Sequence, residues 1–110
     1  MAVNHIWNWH FGAPLVETVA NFGRSGKTPS HPELLDWLAA EFMEHGWRLK
    51  HLHRLLVTSS AYRMASSGGA AAASNLARDA DNRWWWRFPT QRMEAETVRD
   101  SVLAAAGMLD

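Results

Sequence analysis

Cysteine is absent from the 110 residues of this chain, so disulfide bonds, thiol catalysis and thiolate metal sites are excluded. No apolar run approaches the length of about 18 residues that a membrane-spanning helix needs, and the first residues lack the features of a signal peptide. The chain has 11 basic and 11 acidic residues, so it has no net positive charge that would attract a polyanion. We therefore expect neither a nucleic acid nor a membrane as a partner.

The alternation of apolar and polar residues that is typical of strands is also missing, whereas helical spacing recurs along the chain. Helices are predicted over residues 3–11, 30–45, 49–62 and 90–109. Ser30 and Glu33 have the spacing of a capping box at the start of the second helix. The short link at residues 46–48 predicts an αα-hairpin. We expect an all-α fold, a small bundle of about four helices with a central αα-hairpin and a long ordered loop after the first helix.

The chain is rich in aromatic residues, with seven Trp and four Phe for a single core. The predicted centre of that core consists of Trp37, Leu38, Phe42, Leu52 and Leu56. Residues 66–74 contain only Ser, Gly and Ala, which predicts a flexible loop within one domain spanning residues 1–110. Three consecutive Trp residues, 84–86, cannot all face one core, so we expect them to be divided between the core and the interface of a homodimer.

A series of ordered motifs extends along nearly the whole chain. It includes Val3-Asn4-His5-Ile6-Trp7, His10-Phe11-Gly12, Asn21-Phe22-Gly23, Ser30-His31-Pro32-Glu33-Leu34-Leu35-Asp36-Trp37-Leu38, Gly46-Trp47, Leu52-His53-Arg54-Leu55, Asp81-Asn82-Arg83 and Arg92-Met93-Glu94-Ala95-Glu96. Together these motifs resemble the planctomycete-type domain of unknown function 1553, which occurs in large exported proteins that often carry a cytochrome-c-like haem domain. The resemblance implies a helical module, but it supplies no established activity and no catalytic residues.

Two positions depart from the pattern of that family, which usually has Arg where His5 stands and no fixed His where His45 stands. The resemblance covers only the N-terminal part of the family domain, which implies that this chain corresponds to a fragment of a larger domain. Such a fragment exposes surface that the larger domain buries, and this again favours a homodimer. The family is mostly exported, whereas this chain shows no signal peptide, so the compartment stays open.

Six His residues without any Cys are the feature that most suggests chemistry. His10 and His45 fall on apolar helix faces, His53 lies at the boundary of another, and Glu41 precedes His45 by one turn. Imidazoles that point into a helical bundle are common metal ligands. We expect His10, His45 and His53 to bind a divalent metal, zinc above all, with Glu41 as general base or fourth ligand. The alternative is that each His donates a hydrogen bond to a carbonyl at the core edge.

The other three His residues, His5, His31 and His51, are expected to be exposed or to make local contacts.

Two functional hypotheses follow from the sequence. The first is a small metal-dependent hydrolase in which the metal activates a water molecule against a small-molecule phosphate or carboxylic ester. The alternative is a non-catalytic helical protein-interaction module from a larger multidomain protein.

Overall fold

The computed structural model describes residues 1–109, which form five α-helices and one short 3₁₀ helix. The α-helices are α1 (Ala2–Phe11), α2 (Pro32–Glu44), α3 (Leu49–Val57), α4 (Ala72–Arg78) and α5 (Ala95–Ala105), and the 3₁₀ helix is Gly69–Ala71. Residues 1–109 contain no strand, so the prediction of an all-helical class is confirmed, with five helices instead of four. None of the helices in this range is both long and apolar enough to cross a membrane.

Helices α1, α2 and α3 pack against one another in all three pairings and enclose the core. The buried apolar side chains are Val3, Ile6, Trp7, Phe11, Leu15, Val16, Leu35, Leu38, Phe42, Leu52 and Leu56. Four of the five residues expected at the centre of the core are among them. The expectation for Trp37 is wrong, because its side chain is 53% exposed on the flank of α2.

The loop between α1 and α2 is held to the core by a buried asparagine. Asn4 is fully buried; its Nδ2 donates to the Val16 carbonyl oxygen at 3.0 Å, and its Oδ1 accepts from the Val16 N–H at 2.9 Å. These two hydrogen bonds satisfy a backbone donor and acceptor that would otherwise be buried without partners. They also bring Leu15 and Val16 into the core, which explains how a loop of this length is ordered.

The capping box predicted at Ser30 is wrong. Helix α2 begins at Pro32 after His31, and no side chain caps its first turn. Ser30 is bound elsewhere, since its N–H and its hydroxyl both donate to the Leu15 carbonyl oxygen, at 2.8 and 3.2 Å. A long-range partner in the ordered loop has thus replaced the local partner that the S-x-x-E spacing indicated.

Helices α2 and α3 form the expected αα-hairpin. Gly46 and Trp47 both have positive φ, 68° and 59°, and the Trp47 N–H donates to the Phe42 carbonyl oxygen at 2.9 Å. This geometry reverses the chain within three residues and is the usual way in which a glycine ends a helix. Helix α3 then ends at Val57, earlier than the predicted Tyr62.

Residues 66–74 were expected to be a flexible loop, but they contain the 3₁₀ helix and the start of α4. Four consecutive alanines, residues 70–73, account for this difference because alanine has the highest intrinsic helix propensity. A segment made only of Ser, Gly and Ala has no large side chains to pack, but its backbone can still form a helix.

The three consecutive Trp residues face different environments. Trp85 lies edge-on to Trp7 and Phe11, with ring centroids 5.3 and 5.0 Å apart, and packs against the core. Trp86 is half-buried and its indole N–H donates to the Asp79 carbonyl oxygen at 2.8 Å, whereas Trp84 is 73% exposed. The run thus contributes one side chain to the core and presents one to solvent.

Helix α5 is shorter than the predicted helix over residues 90–109 and contacts no other helix within residues 1–109. The apolar stripe of this helix is exposed, with Val98 at 46% and Val102 at 62%. An amphipathic helix gains most of its stability by burying its apolar face. In α5 that face has no partner among the described helices.

Candidate metal centre

The hairpin between α2 and α3 brings two imidazoles to one carboxylate. His45 Nδ1 lies 3.2 Å and His51 Nε2 lies 2.9 Å from the same Glu41 oxygen, Oε1. His45 Nδ1 also lies 3.0 Å from the Glu41 carbonyl oxygen, which accepts its hydrogen bond. The two rings are stacked, with centroids 3.9 Å apart and planes 10° from parallel.

Local structure explains why these three side chains meet. Glu41 and His45 are four residues apart, so they lie one turn apart on the same side of α2. The reversal at Gly46 then places the first turn of α3, which carries His51, beside the last turn of α2. Each of these residues offers one ligand atom, and the three atoms all lie within 4.8 Å of one another. Within residues 1–109, no other group of three His, Asp or Glu residues meets this criterion.

The cluster borders an open surface pocket of about 500 Å³, lined by Glu44, His45, Gly46, Arg48 and His51. The side chain of Glu41 is 21% exposed, that of His51 32% and that of His45 46%. A ligand in the pocket would therefore contact both imidazoles from solvent. Arg48 contributes a guanidinium to the same pocket.

A second pair of His side chains lies between α1 and α3. His10 Nε2 and His53 Nδ1 are 2.7 Å apart, so one ring donates its N–H to the other. The ring of Tyr62 lies edge-on to that of His10, with centroids 5.9 Å apart. Burial, and secondly the proximity of His53, lower the pKa of His10 below its usual value of 6.5. The hydrogen bond between the two rings thus joins α1 to α3.

The four residues predicted for the metal site are divided between these two clusters. His10 and His53 meet, as their positions on facing helices suggested, while Glu41 and His45 belong to the other cluster with His51. His51 was expected to be exposed or to make local contacts. The hairpin was the signal that could have identified it, because a short reversal places the ends of the two helices side by side.

The lowered pKa of His10 predicts a loss of stability in acid. The unfolded chain binds a proton at His10 near pH 6.5, whereas the folded chain binds it only at lower pH. Between these two pKa values the unfolded state holds more protons, so the free energy of unfolding falls as the pH falls. Urea unfolding at a series of pH values from neutral to about 5 measures this slope.

The matched variants for this prediction are His10→Gln and His31→Gln. His10→Gln removes the titrating group and should give a shallower pH dependence than the wild type. His31→Gln removes a His that lies outside the α1–α3 contact and should keep the wild-type dependence. Equal slopes for the wild type and His10→Gln would contradict the assignment.

Comparison with known proteins places the chain in a family. The model of the PSD1 family, described as a protein of unknown function (DUF1553), matches residues 1–110. Neither the curated proteins nor the solved structures provided a match to this chain. The family match spans the entire sequence and agrees with the resemblance that its motifs indicated. The chain therefore belongs to the PSD1 family of proteins of unknown function.

Proposed function

We propose that this protein binds a divalent metal ion, zinc, through Glu41, His45 and His51, and that it is a small metal-dependent hydrolase. The observation that carries the proposal is the convergence of three ligand atoms within 4.8 Å of one another beside an open pocket. Two imidazoles and one carboxylate are a common ligand set of catalytic zinc, which leaves the fourth position to water. Compared with the sequence-based hypothesis, His51 takes the place of His10 and His53.

The distances between the ligand atoms favour metal binding, and binding requires the two stacked imidazole rings to rotate so that both point at one ion. Zinc bonds of about 2.0–2.2 Å to nitrogen and oxygen put two ligand atoms of a tetrahedral site a little more than 3 Å apart. The separations of 3.2 and 2.9 Å from Glu41 Oε1 are close to this value. Each imidazole must be neutral and must carry its proton on the nitrogen that does not face the metal ion, so affinity falls in acid.

The pocket beside the cluster suggests the substrate class. A zinc-bound water loses a proton near neutral pH and becomes a nucleophile. Glu44 lines the pocket and would accept that proton, while the planar guanidinium of Arg48 would bind an oxyanion. This arrangement favours a phosphate ester over a neutral carboxylic ester.

Zinc titration of the full chain, followed by calorimetry, tests the ligand set. The wild type should bind one zinc ion per chain, and His51→Ala should lower the affinity by at least about 100-fold, since it removes a direct ligand. His53→Ala is the matched control on the same helix and should leave the affinity unchanged. A loss of binding in His53→Ala but not in His51→Ala would instead support the set His10, His45 and His53.

Hydrolysis is tested separately with an aryl phosphate ester. The zinc-loaded wild type should release phosphate, a chelator should abolish the release, and Arg48→Ala should raise KM more than it lowers kcat. Zinc binding without any turnover would retain the metal centre and reject the hydrolase.

A second candidate is a non-catalytic helical interaction module. It is favoured by α5, whose apolar stripe is exposed and which contacts none of the other helices within residues 1–109. In this case zinc, if bound, would stabilise the hairpin. The turnover experiment separates the two candidates.

A further inference from the structure

An apolar groove lies between α1 and α3, on the side of α3 away from His51. It has a volume of about 440 Å³, and its lining residues are Ala2, His5, Ile6, Trp9, Leu49 and His53. Trp9 is 72% and Leu49 53% exposed, so an indole and a leucine side chain stand at its edges in contact with water. Leu49 and His53 are one turn apart, whereas His51 between them points to the opposite side of the helix. The groove and the candidate metal centre are therefore different surfaces of α3.

The same chain contains an apolar helix face of matching size. Helix α5 has 11 residues and α1 has 10, which at about 1.5 Å per residue gives both a length of roughly 15–17 Å. Val98 and Val102 lie one turn apart on the exposed stripe of α5. Leu109, beyond the helix end, is also 50% exposed. The groove between α1 and α3 and the exposed stripe of α5 are thus both apolar, and the helices that form them are similar in length.

The charges of the two surfaces are also complementary. Helices α1 and α3 contain no Asp or Glu, and the charged residues of α3 are Lys50 and Arg54. Helix α5 contains Glu96 and Asp100 against a single Arg99, and Glu94 precedes it as the N-cap residue. Opposite charges around an apolar contact favour correct pairing and suppress other partners. Lys50 and Arg54 directly follow the lining residues Leu49 and His53 in sequence, so the acidic α5 is suited to a groove formed by the basic α3.

We propose that α5 of one copy docks in the α1–α3 groove of a second copy and that the exchange is reciprocal, giving a two-fold symmetric dimer. A stable interface buries about 1,200–2,000 Å² in total, more than one short helix supplies. Two-fold symmetry repeats the contact, so each dimer contains two docked helices and two filled grooves. The proposal is independent of the metal centre. It also moves the expected interface of the homodimer from Trp84–Trp86 to α5.

Sedimentation equilibrium of the full chain with matched variants tests the dimer. The wild type should sediment as a dimer. Val102→Glu, on the apolar stripe, should raise the dissociation constant by about 100-fold, because each of its two copies costs about tenfold. Ala104→Glu places the same charge on the opposite side of α5 and should leave the dissociation constant within about threefold of the wild type. Both substitutions are at exposed positions, and far-UV circular dichroism should show unchanged helix content.

A mixing experiment tests the reciprocal arrangement. Leu49→Glu damages the groove and leaves α5 intact, whereas Val102→Glu damages α5 and leaves the groove intact. In a dimer of either variant both contacts are damaged, whereas in the mixed dimer both substitutions fall in one contact and the other contact is intact. The mixture should therefore associate more tightly than either variant alone and more weakly than the wild type. An interface in which α5 packs on α5 would give no such rescue.

Three results would overturn the proposal. The first is a monomeric wild type at about 1 mM, the weak end of specific association. The second is a dimer that neither Leu49→Glu nor Val102→Glu weakens, which would place the interface elsewhere. The third is a mixture of the two variants that associates no more tightly than either variant alone.

Discussion

Replacing Phe11 with alanine is expected to lower the free energy of unfolding by about 3–5 kcal/mol, a large part of the stability of a small domain. Phe11 is fully buried, and its ring is stacked on Trp7 with centroids 4.2 Å apart. The rings of Trp85 and Tyr62 meet it edge-on at 5.0 and 5.7 Å. Truncation would leave a cavity walled by large rigid rings, which cannot collapse to fill it.

The control for this prediction is Phe22→Ala. Phe22 is 37% exposed in the loop between α1 and α2, so its truncation should cost less than about 1 kcal/mol. Urea unfolding monitored by far-UV circular dichroism gives both values. Similar losses for the two variants would mean that Phe11 does not have the central place in the core that its contacts indicate.

Replacing Asn4 with leucine is expected to cost about 2–6 kcal/mol, since it leaves two buried backbone groups unsatisfied at about 1–3 kcal/mol each. The groups are the N–H and the carbonyl of Val16, which now bond to the Asn4 amide at 2.9 and 3.0 Å. Leucine has a similar volume but neither donates nor accepts a hydrogen bond. The loss is measured by urea unfolding, as for Phe11.

Two further variants show whether the hydrogen bonds are responsible. Asn8→Leu makes the same change one turn further along α1, at a half-buried position, and should cost less than about 1 kcal/mol. Asn4→Asp retains the acceptor for the Val16 N–H but turns a second acceptor towards the Val16 carbonyl, so it should also destabilise strongly. A stable Asn4→Leu protein would show that the Asn4 bridge does not hold the loop.

The parts of the fold that the sequence predicted well are those controlled by local spacing. Apolar residues three and four positions apart correctly marked the inward face of α1 and the buried residues Leu52 and Leu56 of α3, and the glycine at position 46 marked the reversal of the hairpin. These signals involve neighbours in the chain, so one sequence is enough to interpret them. Which side chains of different helices face one another could not be predicted from local spacing, because it depends on how the whole chain packs.

Long-range competition explains the wrong predictions. Ser30 had the right local spacing for a cap, but the carbonyl of Leu15, distant in sequence, binds it instead. The apolar stripe of α5 indicated a buried face, and periodicity alone does not say which surface covers that face. The spacing of apolar residues identifies which face of a helix is apolar, whereas the surface that covers this face depends on the packing of the whole chain.

In the candidate metal centre, too, local relations were predictable and contacts between helices were not. The i, i+4 relation of Glu41 and His45 was visible in the sequence, but the choice of the third ligand depended on how α3 is rotated about its own axis. His51 and His53 are two residues apart and so lie on opposite sides of that helix. The hairpin directs His51 to Glu41 and His53 to His10.

The contact of Trp85 with Phe11 has a consequence for the order of events in folding. The hairpin joins residues that are close in the chain, whereas this aromatic contact joins positions 11 and 85, which are 74 positions apart. The free-energy cost of closing a loop grows with its length, as about 1.5 RT times the natural logarithm of the number of residues in the loop. Local contacts therefore form first, and the segment that carries Trp85 docks late, onto an aromatic surface that the first helix already presents.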